Sequence, residues 1–207
     1  MRTRVELKQD AKAQLQGKKG TAAIMFLILF MIQVIPNIVK LLVGESLILG
    51  IVRVVVMIYS SLLGIGMIKF YLSVRRNQQV SAGMLFSGCE YYLKGFLISL
   101  LVGLVTVVGT ILFIVPGIIF AYMYSQSLTI YIDNPEMGII ESMKTSRLAM
   151  SGHKGDLFIL QLSFIGWSIL SLFTLGILLL YVYPYYQTTL INFYTDVMEE
   201  YKGVNIA

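Results

Sequence analysis

Long apolar stretches alternate with short basic ones along the chain. The first apolar run covers about Thr21 to Val43 and is interrupted by Gln33, Pro36, Asn37 and Lys40. The second covers about Leu47 to Val74, with Arg53 near its start and Lys69 near its end. The third, Gly95 to Ile132, contains no charged residue over 38 positions. As one helix it would reach about 57 Å at ~1.5 Å per residue, far beyond a ~30 Å hydrocarbon core. It must fold back. The expected break is "IVPGII", because Pro116 cannot continue the helical ladder and Gly117 permits a turn. The fourth run, Leu157 to about Tyr194, has the same excess length, and "FTLGIL" around Gly176 is its expected turn.

This pattern predicts an all-α polytopic membrane protein with six transmembrane helices arranged as three hairpins. Each hairpin is preceded by a cytoplasmic interfacial amphipathic helix. The chain, 1–207, then forms a single integral membrane domain. A basic amphipathic segment (1–20) leads into hairpin 1 (21–74), and a cytoplasmic loop (75–94) into hairpin 2 (95–132). A cytoplasmic amphipathic helix (133–156) leads into hairpin 3 (157–197), followed by a cytoplasmic tail (198–207).

The segments between runs have their own pattern. Leu7, Ala11 and Leu15 share one helical stripe, and Arg4, Lys8 and Lys12 share another. In "DNPEMGIIESMKTSRLAMSG", Asp133 or Asn134 is a candidate cap, Pro135 suits a first turn and Gly152 a helix end. Ile139, Ile140, Met143 and Leu148 would give that helix its apolar side. The middle segment, "SAGMLFSGCEYYLKG", is shorter and rich in aromatics. A Lys-Gly pair stands before three of the apolar runs, as Lys19-Gly20, Lys94-Gly95 and Lys154-Gly155. The chain therefore reads as three copies of one unit: surface helix, Lys-Gly, membrane hairpin. In this reading lysine meets lipid phosphate, and glycine lets the chain turn into the bilayer.

Composition supports a membrane location. The chain is 57% apolar and 13% charged, against about 45–50% and about 25% in soluble domains. The net charge of +5 is unevenly distributed: under the six-helix reading only Lys40 and Arg53, of 16 Lys and Arg, fall toward the far side. The positive-inside rule then puts both termini in the cytoplasm of a bacterial cell membrane. Lys19, Lys94, Lys154 and Arg147 are the candidate contacts for anionic headgroups. No polar domain exists to bind nucleic acid. The basic-then-apolar N-terminus resembles a signal peptide, but its apolar part outruns the usual length, so it reads as a retained first span.

Catalytic chemistry is poorly provided for. No Asp or Glu occurs between Glu45 and Glu90, between Glu90 and Asp133, or between Asp156 and Asp196. An acid at mid-membrane depth is what proton relays and intramembrane aspartyl chemistry require. His153, the sole histidine, sits in a loop, out of reach of any embedded serine. Cys89 is the only cysteine, so no disulfide closes within the chain, and one His with one Cys cannot complete a structural metal site. No cofactor motif is present, and the expectation is a protein that is not an enzyme.

Polar groups inside the runs are the remaining candidates. Gln33 and Asn37 share a helix face around Pro36, and with Arg53 they form a candidate intramembrane polar site. The alternatives are interhelical hydrogen bonding for the amides and, for Arg53, snorkelling toward Glu45. Gln126 and Gln161 read the same way, as a small polar binding site or as interhelical hydrogen-bonding groups. Ser60-x-x-x-Gly64 and Ser99-x-x-x-Gly103 predict close helix approach. "YVYPYY" (181–186) reads as an interfacial belt or a tyrosine-lined vestibule, and Trp167 as a residue packed between helices.

The N-terminal "ELKQDAKAQLQGKKGTAAI" resembles the opening of a bacterial membrane family known as domain of unknown function 975. The resemblance extends through "IVPGIIFAYMYSQSLTIYIDNPEMGIIESMKTSRLAMSGHKG" and "SFIGWSILSLFTLGILLLYVYPYYQTTLINFY". It implies a bacterial multi-pass membrane protein, with no catalytic or binding residues to carry over. The expected role is a non-enzymatic protein that organises lipids, a membrane protein partner or its own oligomer. The alternative is a transporter or channel for a small or amphiphilic solute.

Overall fold

The computed structural model describes residues 1–206, apart from the side chains of Val43, Cys89 and residues 204–206. Among the described residues all regular structure is helical. The order is α1 (Arg4–Gln14), α2 (Lys19–Val43), α3 (Leu47–Arg75), a 3-10 segment (Ala82–Tyr91), α4 (Tyr92–Leu112) and α5 (Ile114–Met123). Then follow α6 (Ser127–Asp133), α7 (Ile139–Ala149), α8 (Lys154–Leu162), α9 (Ile165–Phe173) and α10 (Leu179–Ile206).

Four stretches are long and apolar enough to cross a membrane: Lys19–Leu42, Leu47–Arg75, Tyr92–Leu112 and Lys154–Phe173, the last combining α8 and α9. The other two expected crossings differ in kind. α5 and α6 are 10 and 7 residues long, separated at Tyr124–Gln126. α10 runs 28 residues but buries Thr188, Thr189, Asn192 and Asp196 along its length. It is the polar, packed helix of the molecule, and it continues as far as Ile206 through the stretch expected to be a cytoplasmic tail.

The two over-long runs are both interrupted. The third breaks at Phe113, which is extended (φ −158°, ψ 140°), three residues before the expected proline. Pro116 instead lies in the first turn of α5, where its missing N–H costs nothing because first-turn donors are unpaired anyway. Gly117 does not make the turn. A Cβ there would lie 2.1 Å from Thr110 Oγ1, so the residue is needed for the close approach of α4 and α5. The fourth run turns where expected, with Leu175 and Gly176 both at positive φ.

The predicted small-residue faces are not the ones used. Gly64 and Gly103 have nothing within 4 Å of a notional Cβ, and Ser99 turns back to the Gly95 carbonyl at 3.0 Å. Close packing falls instead on Gly66 and Gly88, where α3 and the 3-10 segment meet backbone to backbone. A Cβ on Gly66 would lie 2.1 Å from the Leu85 carbonyl oxygen, and one on Gly88 2.6 Å from that of Leu62.

α1 lies along α10 and runs opposite to it. Met1 faces Glu200, Arg2 faces Asp196, Leu7 faces Asn192 and Lys12 faces Tyr185. The stripe of Leu7, Ala11 and Leu15 is fully buried in the protein core. That corrects the expectation of an interfacial helix offering its apolar side to lipid: α10 already supplies the apolar partner.

α7 corrects it further. Its N-cap is Gly138, not Asp133 or Asn134, and Asp133 ends α6. Of the expected apolar side Met143 is buried and Ile139 packs on the core, but Ile140 and Leu148 are exposed, and Ser142, Ser146 and Met150 are buried instead. Ser146 Oγ donates to the carbonyl of Met123, the last residue of α5 (2.9 Å). Small hydroxyl residues here let two helices approach while bonding their own side chains.

α1 and α7 correspond in register. Both are 11 residues long, and each has a glutamate, Glu6 or Glu141, accepting from its N-cap backbone N–H. Each is followed at equal spacing by a positive-φ glycine, Gly17 or Gly152, and then by the helix that opens with Lys-Gly. Leu7, Ala11 and Leu15 thus match Ser142, Ser146 and Met150. Gly20 and Gly155 are ordinary second residues of a helix, so the turn into the apolar run is made by Gly17 and Gly152. In the middle segment Lys94-Gly95 lies within α4, and the 3-10 segment replaces the surface helix.

Candidate functional site

Two groups of side chains stand out, one among the apolar helices and one at the basic core. The first gathers the polar residues picked out from sequence. Gln33, Pro36 and Asn37 of α2 and Arg53, Val56, Met57 and Ser60 of α3 line a cleft of about 270 Å³. Among the described residues, these two helices alone line it. Gln33 and Asn37 are exposed, and the Ser60 hydroxyl is buried without a hydrogen-bond partner among the described residues. Asn37 Nδ2 donates back to the Gln33 carbonyl (2.8 Å) within its own helix. Arg53 Nη1 reaches Glu45 at 3.2 Å, and Lys40 pairs with the same carboxylate. Glu45, hydrogen-bonded by Lys40 and then Arg53, is held below the usual carboxylate range. The two outlying cations therefore share one acid at the turn between α2 and α3.

The second group surrounds α1. Asp196, almost wholly buried, accepts from the Arg2 backbone N–H (2.9 Å) and from Arg2 Nε (2.8 Å). Arg2 also pairs with Asp10, and its guanidinium is held above its ordinary pKa, first by the Asp196 bond. Asn192 Nδ2 donates to the Leu7 carbonyl (3.2 Å). His153 bridges Asp156 at 3.5 Å and Glu200 at 3.3 Å.

The tyrosine cluster and Phe164 beside it seat two lysines of α1 and the first residue of α2. Lys8 Nζ lies 4.3 Å from the Phe164 ring centroid, Lys12 Nζ 5.5 Å from that of Tyr185, and Lys19 Nζ 5.6 Å from that of Tyr181. Phe164 in turn packs edge-on against Tyr185 and Tyr186, each at 5.2 Å. Cations over aromatic faces gain electrostatically when partly removed from water, and burial pushes the Lys8 ammonium below its ordinary pKa. Tyr181 and Tyr185 therefore each lie under a lysine, with Phe164 against Tyr185 and Tyr186. Sequence reasoning missed these contacts, because Lys12 and Lys19, seven apart, meet Tyr185 and Tyr181, four apart, while Lys8 meets Phe164, and no local spacing pairs them.

Of the four candidate headgroup residues, Lys19, Lys94 and Arg147 are exposed and Lys154 is half-buried. Lys19 differs from the others in lying against Tyr181. Gln161 behaves as expected, its Oε1 accepting from Tyr122 OH across helices at 2.7 Å. Gln126 instead bonds locally to Ser125. Trp167 is exposed, not packed.

These features define an all-helical protein with four stretches fit to cross a membrane, held together by an apolar, aromatic-rich core rimmed by basic residues. The chain belongs to the family described as "Protein of unknown function (DUF975)", whose profile matches residues 1–121 and 104–201. No curated protein and no solved structure matches it.

Proposed function

We propose that this chain is a six-crossing protein of the bacterial cell membrane, with both termini cytoplasmic, that organises lipids or a partner membrane protein and is not an enzyme. The six crossings are α2, α3, α4, α5 with α6, α8 with α9, and the first part of α10, paired as three hairpins. Both breaks in the over-long runs support that count, since a helix interrupted at Phe113 or at residues 174–178 reverses without exceeding the bilayer.

The observation that carries the role is how little of the apolar helix surface the chain covers for itself. Three of the four candidate spans have 17% of their most apolar window buried, and the fourth 22%. The rest is surface for lipid or another membrane protein. The exposed cations Lys94 and Arg147, with Lys154, then lie beside anionic headgroups.

The test is purification in native-lipid nanodiscs with mass spectrometry of what accompanies the chain. A stoichiometric membrane protein, a second copy or one enriched anionic lipid class is the expected result. A chain that carries none of these contradicts the proposal.

Solute transport is the second reading, favoured by the convergence of Gln33, Asn37, Arg53 and the unpartnered Ser60 hydroxyl on one cleft. Its weakness is that two helices alone line that cleft, so no third wall shields a solute from lipid. Labelling of an Asn37→Cys variant, in a Cys89→Ala background, by a water-soluble reagent would support it. Labelling only by a lipid-soluble reagent would count against it.

A further inference from the structure

The basic core holds a second cleft, of about 340 Å³, between the C-terminal ends of α3 and α6 and the last turns of α10. Its polar lining is Arg75, Arg76, Asp133, Tyr194, Thr195, Glu199 and Lys202, and Leu72 and Met198 give it apolar wall. Asp133 is fully engaged: Arg76 Nη2 holds Oδ1, and Tyr194 OH donates to Oδ2 at 3.0 Å. That leaves Arg75 and Lys202 facing the cleft with Glu199 as the only free acid in its lining. Among the described residues no carboxylate lies within the 4.0 Å pairing distance of Arg75, and its Nε is buried with no hydrogen-bond partner. A buried N–H without an acceptor is rare in a finished structure and calls for an explanation.

We infer that this cleft binds a phosphate carried by a polyol, of the glycerol phosphate type, either free or as the headgroup of an anionic phospholipid. The Arg75 guanidinium offers the phosphate a planar fork of donors, and Lys202 adds a point charge. Glu199 is then an acceptor for a neighbouring hydroxyl, which favours a polyol phosphate over inorganic phosphate. Leu72 and Met198 suit the carbon skeleton. The alternative account of Arg75, a cation offsetting the C-terminal dipole of α3, explains its charge but not its convergence with Lys202 on one cleft. The lipid source rests on the membrane placement proposed above. The free source does not, so the two proposals can fail separately.

The test uses the full chain in nanodiscs of zwitterionic lipid, measuring thermal unfolding with added sn-glycerol phosphate or inorganic phosphate. In parallel, native mass spectrometry counts phosphatidylglycerol retained from mixed bilayers. A stabilising shift from glycerol phosphate exceeding that from inorganic phosphate, and lost in Arg75→Gln, assigns the free ligand. Retained phosphatidylglycerol falling about tenfold in Arg75→Gln, with no shift from the soluble phosphates, assigns the lipid. Arg75→Lys should recover part of the binding in either case. Lys202→Gln, at an exposed position where folding is safe, should weaken binding at least threefold, and Lys144→Gln, outside the cleft, should not. Unchanged binding in Lys202→Gln, or equal loss in Lys144→Gln, overturns the inference even if Arg75→Gln fails to fold.

Discussion

Phe193 and Phe173 sit in neighbouring helices of the same chain and live in different solvents. Phe193 on α10 is 0% exposed within the single packed core, whereas Phe173 at the end of α9 is 81% exposed. The same division runs through the molecule. Leu41 near the α2–α3 turn, Phe113 at the α4–α5 break and Leu175 before α10 are 85%, 73% and 94% exposed. These tips would be misfolded in water and are ordinary in a bilayer, where lipid chains serve as well as protein. The core is held by what lipid cannot supply: glycine-to-backbone contacts, the Arg2–Asp196 pair, and lysines seated on rings.

The contrast is sharpest for the two phenylalanines. Phe193→Ala should cost about 3–5 kcal/mol, as for other enclosed aromatic truncations. Phe173→Ala should stay within about 0.5 kcal/mol. Thermal unfolding in nanodiscs reads both, and a similar loss from each would erase the distinction between core and tips.

Next in size is a pair of glycines two residues apart. Gly66→Val drives atoms into the Leu85 carbonyl and should cost about 3 kcal/mol or prevent assembly. Gly64→Ala meets nothing and should gain about 0.5–1 kcal/mol from helix propensity. Retention on size exclusion after a heating series ranks the two variants.

A third pair compares ion pairs. Arg2→Ala strands the buried Asp196 carboxylate and should cost about 2 kcal/mol, below the fully buried range because Arg2 is partly open to water. Arg53→Ala, at the α2–α3 turn, should cost less than about 1 kcal/mol.

The smallest effect depends on pH. Thr3 N–H bonds Glu6 at 2.7 Å and holds its carboxyl below the usual value. A depressed folded pKa stabilises above the unfolded pKa, and that contribution is lost as pH falls through the folded value. Glu6→Gln, which removes the charge and keeps the Thr3 cap, should therefore speed amide exchange in α1 at neutral pH and make little difference at a pH below the folded Glu6 pKa. An equal effect at both values would mean the Glu6 charge is irrelevant to α1.

Much of this was legible in sequence because it depended on spacing alone. The apolar runs, the excess length of two of them, the turn at Gly176 and the stripe of Leu7, Ala11 and Leu15 all follow from periodicity and bilayer thickness. The pull of Glu45 on Arg53 follows from an isolated acid near an isolated cation. What was not legible is which surface meets which. Gly64 and Gly66 are indistinguishable as letters, yet only the second faces another backbone. Ile140 and Leu148 look like a buried face until Ser142 and Ser146 take that role by fitting closer to α6. The Arg75 cleft needed three helices brought together, and no local pattern announces it.

The account turns on where the three tips lie relative to the basic core, and single cysteines in a Cys89→Ala background measure this directly. Ser151→Cys, Ser46→Cys, Phe113→Cys and Leu175→Cys would each be labelled with a membrane-impermeant reagent in intact cells and again in inverted vesicles. The prediction is that Ser151→Cys labels only from the cytoplasmic face and the other three only from the opposite face. Labelling of Phe113→Cys or Leu175→Cys from the same face as Ser151→Cys would contradict it, reducing the crossings to four and leaving those tips within the cytoplasmic leaflet.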